Sequence, residues 1–520
     1  MTDSKFADWK AIKPSSLDVA TNDREMILVY NFLFDGRLDL DKLTQAWAKL
    51  CQTWPILSAR LRKGANPKSP ADWRYLVPPD AEVQAVVEED MSASCPAERR
   101  SLVVDEIDSK IRDFHPFVEG RDLPQDRPTI HPAARVIDSK ANSRSKLMLL
   151  FASNAALSID HLFTEDRPVA AAKITRFTDG TSIGLALPHV LCDGPGASEV
   201  MRAWAAIANG EGAKIAPLPD LGEDPFAPLA PGGRLAREEV DAAAQSGQKE
   251  LSPPVGWHAF GLLDTLSLLV NFTWDVVWAR PEATMEFRDI FLPSKYLAEQ
   301  KAAAMAEIMG NGASAAAEGE YVSTSDVIVA VALKRLFAAD ARGPDDKRLV
   351  SFMYAANLRW LSGVSGSVKL PEPYLHNATH TVILPDVPIG HLVHGSSVGA
   401  LALALRRAIL RDSKPEAIRR SLVWRLANAQ KLIAFFRPSS FYSAGTNWRA
   451  MKLSDISFTN ALDSQSSSSA TGRPFRVMMQ PIFAMPTRNL FVILADDPAG
   501  GTWVRMTLSA AQWAQVERKG

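Results

Sequence analysis

Cysteine is scarce in this chain, where Cys51, Cys95 and Cys192 stand far apart in 520 residues. An odd number of widely separated cysteines argues against a disulfide framework and is typical of proteins in a reducing compartment. The first ten residues are polar and lack the apolar segment of a secretory signal peptide. We therefore expect a cytoplasmic protein.

An excess of charge of either sign is also lacking. The 58 Lys and Arg residues and the 59 Asp and Glu residues leave a formal net charge of -1. This balance predicts no nucleic-acid partner, because such proteins present a basic surface to the phosphates. It leaves room for a local basic pocket that binds a small phosphorylated ligand. The chain is 47% hydrophobic, as globular proteins are, and long enough for two domains.

Long uninterrupted apolar runs are missing as well. The most apolar segment, 256–280, is interrupted by His258, Asp264, Asn271 and Asp275, whereas a membrane-spanning helix needs about 20 largely apolar residues. Apolar residues recur in it at helical spacing, as in Leu262, Leu266, Val270 and Trp274. We interpret the segment as an amphipathic helix buried against the protein's own core. The alternative is an interfacial helix that makes peripheral contact with a membrane.

Predicted strands and helices alternate along the chain. Apolar segments rich in β-formers predict strands at 26–34, 146–157, 169–177 and 181–188, of which 146–157 could also be helical. Apolar residues at helical spacing predict a helix over 38–55. This alternation favours a mixed α/β fold.

A change of composition divides the chain into two halves. Stretches rich in proline and glycine, with one charged helix between them, make 211–255 a predicted surface crossover. We expect an N-terminal half at 1–215, a crossover with the apolar helix at 216–284, and a C-terminal half at 285–520.

The most informative segment follows the strand 181–188. Pro188 stops the strand, His189 lies on the turn, and Asp193 and Gly194 precede an apolar helix. Such a corner projects a side chain into a cleft, and histidine titrates near neutrality, so His189 suits a general base for an attacking alcohol or amine. Asp193 could accept a hydrogen bond from the imidazole. We favour the interpretation that it binds an arginine and braces the corner.

A histidine and an aspartate at this spacing are also common in protein cores, so the neighbouring segments decide. Residues 189–194 fit the H-x-x-x-D-G motif of the BAHD superfamily of plant and fungal acyltransferases at every defined position. Further segments resemble that superfamily in the same order, at 54–61, 323–326, 357–359, 374–377 and 446–449. In one of them His376 replaces the usual glycine. The resemblance therefore spans nearly the whole chain.

The superfamily's second motif, D-F-G-W-G, is eroded here. The segment 455–459 keeps Asp455 and an aromatic residue, Phe458, but both glycines are lost. In the superfamily this loop is structural and lies away from acyl transfer. Its change therefore points to a divergent fungal branch that includes mycotoxin O-acetyltransferases, rather than to lost catalysis.

The resemblance implies two chloramphenicol-acetyltransferase-like domains joined by a long crossover, with an active-site tunnel between them. An acyl-CoA, with acetyl-CoA favoured, would meet a small hydroxylated and hydrophobic specialised metabolite in that tunnel. The enzyme would be a monomeric acyltransferase that uses acyl-CoA as a co-substrate and needs no metal or redox cofactor.

The resemblance also assigns roles to single residues. His189 would be the general base, and Asp193 would pair with an arginine, for which we suggest Arg288. Gly194 and Asp455 would give structural support. The channel beside the thioester would be lined by Ser323, Thr324, Thr446 and Trp448.

Other chemistry is open at two places. Cys192 could carry the acyl group as a nucleophile, although nothing in the sequence lowers its pKa. Zinc-ligand spacings occur among His376, His380, His391 and His394, but the H-E-x-x-H pattern is missing. We expect these four to be ordinary packing or surface histidines.

Two rival functions remain. A condensation domain of nonribosomal peptide assembly carries the same motif, usually after a second histidine, where this chain has Pro188. A catalytically silent or coenzyme-independent relative would bind a hydrophobic metabolite in the tunnel. The eroded 455–459 segment favours that relative, and the presence of both His189 and Asp193 argues against it.

Overall fold

The computed structural model describes residues 4–20, 24–67, 69–114, 119–132, 137–138, 143–144, 150–219, 221–281, 284–310, 320–359, 368–483 and 488–519. Its strands are β1 (Lys10–Ile12), β2 (Ile27–Phe34), β3 (Arg60–Lys63), β4 (Trp73–Val77), β5 (Leu102–Glu106), β6 (Thr129–Pro132), β7 (Ile137–Asp138), β8 (Ser143–Arg144), β9 (Ala171–Arg176), β10 (Thr181–Pro188), β11 (His258–Ala259), β12 (Met285–Leu292), β13 (Leu349–Asn357), β14 (Thr379–Pro388), β15 (Ile433–Ala434), β16 (Phe441–Asn447), β17 (Pro474–Ile482), β18 (Leu490–Asp496) and β19 (Thr502–Ser509).

Helices alternate with these strands along the chain. They are α1 (Ser16–Ala20), α2 (Leu40–Thr53), α3 (Val83–Met91), α4 (Ile111–Phe114), α5 (Ile159–Thr164), α6 (Gly194–Ala208), α7 (Arg234–Gln245), α8 (Leu262–Trp274), α9 (Ser294–Gly310), α10 (Thr324–Phe337), α11 (Val398–Asp412), α12 (Pro415–Ala427) and α13 (Ala510–Lys519). The predicted mixed α/β class is confirmed.

Two large sheets organise the molecule. The first has the strand order β17-β2-β10-β9-β5, and the second has the order β14-β13-β16-β18-β19-β12-β6. Each sheet takes one strand from the other end of the chain, because β6 pairs with β12 and β17 pairs with β2. The two ends of the sequence are thus joined by main-chain hydrogen bonds in both sheets.

The strand β10 lies inside the first sheet, antiparallel to both β2 and β9. All eight of its residues are buried, which explains its nearly continuous apolar sequence. Helices α2 and α6 pack together beside this sheet, with the rings of Trp47 and Trp204 4.8 Å apart. The predicted strands 26–34, 169–177 and 181–188 and the helix 38–55 are therefore confirmed, with ends shifted by at most two residues.

The predicted strand at 146–157 is wrong where the structure describes it. Residues 150–157 form turns, and 146–149 lie outside the described residues. The carbonyl of Leu150 accepts hydrogen bonds from Asn31 Nδ2 at 2.6 Å and Ser182 Oγ at 2.9 Å. Gly184 lets these turns cross β10 closely, since an added Cβ would lie 2.6 Å from the Ala152 nitrogen. The segment is apolar because it is buried. Side chains, rather than a neighbouring strand, donate the hydrogen bonds that its Leu150 carbonyl accepts.

The expected burial of 256–280 is also wrong. Helix α8 continues through a π-helical turn, Asp275–Ala279, and together these residues form an 18-residue apolar helix none of which is buried. Among the described residues it is the one helix long and apolar enough to cross a membrane by those two criteria. Helical spacing identified the helix correctly, but spacing does not tell which side faces the protein.

Candidate active site

His189 lies where the two large sheets meet. It follows β10 directly, and its N–H donates to the carbonyl of Met26 at 2.7 Å, so the hydrogen bonding of the first sheet continues through this residue. Its own carbonyl accepts a hydrogen bond from Asn377 Nδ2 at 2.7 Å. Asn377 stands two residues before β14, in the second sheet. The backbone of His189 is thus held from both sheets, and its side chain is half-buried.

Asp193 is the N-cap of α6 and is 3% exposed. Its Oδ1 accepts from the Gly196 N–H at 3.0 Å. Its Oδ2 accepts from Arg359 Nη1 and the Ala378 N–H, both at 2.9 Å, and from Thr379 Oγ1 at 3.3 Å. Burial by itself raises the pKa of Asp193, but the Arg359 guanidinium and the two N–H donors outweigh it and lower the pKa. The carboxylate is therefore ionised and braces the corner.

The suggested partner Arg288 is wrong, and Arg359 takes that place. Arg288 lies on β12 and pairs instead with Glu286, at 2.9 Å, and with Glu517. Arg359 also donates to the carbonyls of Tyr374, at 3.0 Å, and His376, at 2.5 Å. Arg288 was suggested from its place ahead of a strand, but tertiary structure decides which arginine reaches a buried carboxylate. The signal that could have identified Arg359 is its place in the motif-like segment 357–359.

A second carboxylate supports the same corner, and the sequence analysis missed it. Asp18, in α1, is fully buried. Its Oδ1 accepts from Asn377 twice, from the backbone N–H at 2.9 Å and from Nδ2 at 2.7 Å. Its Oδ2 lies 2.9 Å from Nδ1 of His376. Burial by itself lowers the pKa of His376, but Asp18 outweighs it and raises the pKa. The histidine that replaces the superfamily's glycine thus lies against a buried carboxylate, next to the Asn377 that holds the backbone of His189.

Gly194 and Trp448 meet directly at the motif. A Cβ added to Gly194 would lie 3.1 Å from Nε1 of Trp448, so glycine is needed for this close approach. The indole of Trp448 is 5% exposed and packs against Tyr30, with ring centroids 5.4 Å apart. Thr446 lies two residues earlier, on β16, and is half-buried. The structure therefore brings Trp448 to the motif.

Ser323 and Thr324 begin helix α10. The hydroxyl of Ser323 donates to Asp326 at 2.8 Å and caps the helix, so it is already engaged. Thr324 is half-buried at the first helical position. Asn447 Nδ2 donates to Ser325 Oγ at 2.9 Å and joins this helix start to the end of β16. The predicted channel residues of α10 and β16 are therefore neighbours.

The segment 455–459 lies against the far end of α6. Asp455 is exposed, and its closest cation, Arg473, is 4.0 Å away. Phe458 is fully buried and packs edge-on against Phe34 and Trp204. Asn209, at the end of α6, donates to the carbonyl of Ser457 at 2.7 Å. Structural support at this segment therefore comes from Phe458 rather than from Asp455.

Cys192 is poorly suited to carry an acyl group. It is 1% exposed, and burial together with the adjacent Asp193 raises its pKa well above the ordinary value. The thiolate that covalent catalysis requires is therefore disfavoured.

The four clustered histidines lie in different environments. His376 pairs with Asp18, while His380 is buried and has its pKa lowered to about 4 by burial and by Arg425. His391 and His394 are exposed on a π-helical turn. In the part of the chain that the structure describes, no three His, Cys, Asp or Glu residues come together as metal ligands.

Comparison with known proteins places this geometry in context. Residues 136–246, which include the His189 corner, match the model of the Transferase family. The acetyltransferase MATC1 of Mycosarcoma maydis is 26% identical over 98% of this chain and 96% of its own length. The acetyltransferase adrJ of Penicillium rubens is also 26% identical, over 95% of this chain and 92% of its own.

A solved structure matches the whole fold. TRI101 of F. graminearum, in complex with coenzyme A and T-2 mycotoxin, aligns with a TM-score of 0.58 at 14% identity. The alignment covers 98% of this chain and 97% of that protein. The arrangement of both sheets is therefore shared with that protein, although few side chains are.

Proposed function

We propose that the chain is an acyltransferase of the BAHD type that transfers an acetyl group from acetyl-CoA to a hydroxyl of a hydrophobic specialised metabolite. One observation carries the proposal. Two residues that flank strands of the second sheet hold the corner. Asn377, just before β14, binds the backbone of His189, and Arg359, just after β13, binds the carboxylate of Asp193. Such double anchoring holds a general base in one geometry.

The reaction needs one proton transfer in each direction. His189 Nδ1 is buried, so Nε2 is the nitrogen that takes the proton of the acceptor hydroxyl. As the proton leaves, the acceptor oxygen attacks the thioester carbonyl and forms a tetrahedral intermediate. When the intermediate collapses, the C–S bond breaks, the ester remains, and the imidazolium returns the proton to the departing thiolate. No covalent acyl-enzyme is required.

The developing oxyanion needs a donor near the motif. We assign this role to the indole N–H of Trp448, because its Nε1 lies against Gly194. Removal of one such donor costs about 3 kcal/mol of transition-state stabilisation. Thr446 and Thr324 complete the channel beside the thioester in this proposal.

The relatives support the choice of substrates. MATC1 and adrJ are named acetyltransferases of fungi, and the similar TRI101 structure holds coenzyme A and a mycotoxin. A small hydroxylated metabolite therefore fits best as the acceptor. We also propose that the enzyme is a cytoplasmic monomer in peripheral contact with a membrane.

The first experiment is calorimetric titration of the purified protein with acetyl-CoA and free coenzyme A. Micromolar binding of both supports the proposal. Transfer to a panel of hydroxylated terpenoids and polyketides then compares the wild type with His189→Ala. Loss of turnover with retained coenzyme binding is expected, while His394→Ala, an exposed histidine, serves as the matched control. If the folded protein binds neither form of the coenzyme, the proposal is wrong, and a coenzyme-independent relative takes its place.

A further inference from the structure

Helix α8, with its π-helical turn, displays an unusual concentration of large apolar side chains. Of these, Leu263 is 80% exposed and Val270 is 70% exposed. Eight large apolar residues of this helix are at least half exposed, namely Leu262, Leu263, Leu266, Leu269, Val270, Trp274, Val277 and Trp278. Exposed apolar patches of this kind mark interaction surfaces in soluble proteins.

The exposed apolar residues of this helix share one side, which faces away from the protein. The eight residues recur at spacings of three, four and seven, so at about 100° per residue they share one side of the helix. The half-buried residues Leu268, Phe272 and Val276 lie on the opposite side, together with Asp275. Asp275 accepts from Arg280 Nε at 2.6 Å. The helix is therefore apolar on its outer side as well as on its inner side, whereas a helix on the surface of a soluble protein normally has a polar outer side.

Both ends of the helix are fixed to the same body. On one side, β11 pairs with β15, and the N–H of Phe260 donates to the carbonyl of Leu432 at 2.9 Å. On the other side, Arg280 is buried and donates to Asn489 Oδ1 at 3.0 Å. A helix that crossed a bilayer would place these two anchors on opposite faces of the membrane. With both anchors on one folded body, the helix can only lie along a surface.

The size of the patch discriminates between a bilayer and a second copy of the chain. An 18-residue helix is about 27 Å long and roughly 10 Å wide, so its outer face covers about 300 Å². Eight large apolar side chains of one helix form the patch, whereas a stable protein interface takes about 20–30 residues from each partner. A narrow strip of this kind is typical of helices that lie in a membrane interface.

The charges beside the helix suit a lipid surface. Residues 265–274 carry no charge. A cleft of about 880 Å³ along the helix is lined by the exposed cations Lys249, Lys431 and Arg437, and also by Glu250 and Asp264. Arg437 is partly offset by Asp386 at 2.9 Å. The nearly balanced charges at the flank match zwitterionic headgroups, and the apolar side chains on the outer face match acyl chains.

We infer that α8 and its π-helical turn lie flat in the interfacial layer of a lipid bilayer and hold the enzyme there as a monotopic protein. Trp274 and Trp278, stacked 5.3 Å apart, lie at the level of the headgroups. This inference specifies the proposed membrane contact and does not depend on acetyl transfer. It also gives a lipid-dissolved acceptor a direct approach to the protein.

The test is flotation of the full-length protein with phosphatidylcholine vesicles, with and without phosphatidylserine, in the absence of acetyl-CoA and acceptor. The wild type is expected to float with both kinds of vesicle to a similar extent, because the charges beside the helix are nearly balanced. The double variant Leu263→Glu, Val270→Glu is expected to lose partitioning by about tenfold or more. Because both positions are exposed, circular dichroism should show an unchanged fold.

The control variant is Met309→Glu, Leu410→Glu, which alters two exposed apolar residues on α9 and α11 (70% and 58% exposed). It should float like the wild type. Absence of wild-type flotation, or equal flotation of the α8 variant, overturns the inference. Light scattering that shows a dimer lost in the α8 variant also overturns it. Acetyl transfer is assayed separately, so failure of either proposal is seen independently.

Discussion

At the scale of single residues, the corner depends on one buried ion pair. Arg359→Ala would leave the Asp193 carboxylate buried without its cation, and removal of one partner from such a pair costs about 3–5 kcal/mol of unfolding free energy. We expect a loss of this size in urea denaturation, together with reduced acetyl transfer. Arg288→Ala is the control, since its partner Glu517 is half exposed, and it should cost less than about 1 kcal/mol. Equal losses in the two variants would contradict the assignment of Arg359.

The Asp18–His376 pair predicts a pH dependence of stability. The pKa of His376 is raised above its ordinary value of about 6.5 in the folded protein. Its contribution is therefore complete below pH 6.5 and is lost as the pH rises through the higher folded pKa. The difference in unfolding free energy between the wild type and His376→Gln should shrink over this window. A difference that stays constant from pH 6 upward would show that the imidazole carries no charge in the folded state.

At the scale of elements, the eroded segment 455–459 packs against α6 through Phe458 and Ser457. Phe458→Ala would open a cavity between Phe34 and Trp204 and should cost about 3–5 kcal/mol in chemical denaturation. Asp455→Ala, at an exposed position 4.0 Å from Arg473, should change stability by less than about 0.5 kcal/mol. If Asp455→Ala proves the more damaging change, the aspartate has a role that the geometry does not show.

At the scale of the whole molecule, the pairing of β6 with β12 and of β17 with β2 joins the N-terminal part of the chain to the C-terminal part. Residues 1–215 expressed alone would lack β17, which pairs with β2 along its full length. The unpaired edge of β2 is entirely buried in the full chain, so the fragment should aggregate or remain without fixed packing. Near-ultraviolet circular dichroism and size-exclusion chromatography, with the full chain as reference, measure this. A monomeric fragment with native-like aromatic signals would mean that the N-terminal half folds by itself.

Local pattern predicted much of the fold and the centre of the site. The apolar runs at 26–34 and 181–188 indicate strands because neighbouring residues alone decide their burial and β-preference. His189, Asp193 and Gly194 were identifiable because strand, turn and helix cap are contiguous in sequence. Arg359 was missed for the opposite reason, since 166 positions separate it from Asp193, and its place in the motif-like segment 357–359 does not by itself say which carboxylate it reaches.

The amino-acid sequence by itself therefore determined the mixed α/β class, the corner that carries His189 and the existence of helix α8, because each depends on interactions within a few residues. Only the tertiary structure decided that Arg359 and not Arg288 holds Asp193, that Asp18 and His376 support the corner, and that α8 exposes eight large apolar residues. These features depend on contacts between residues that are far apart in sequence. Such contacts form only when distant strands pair, so the packing of the whole chain decides them and no single segment does.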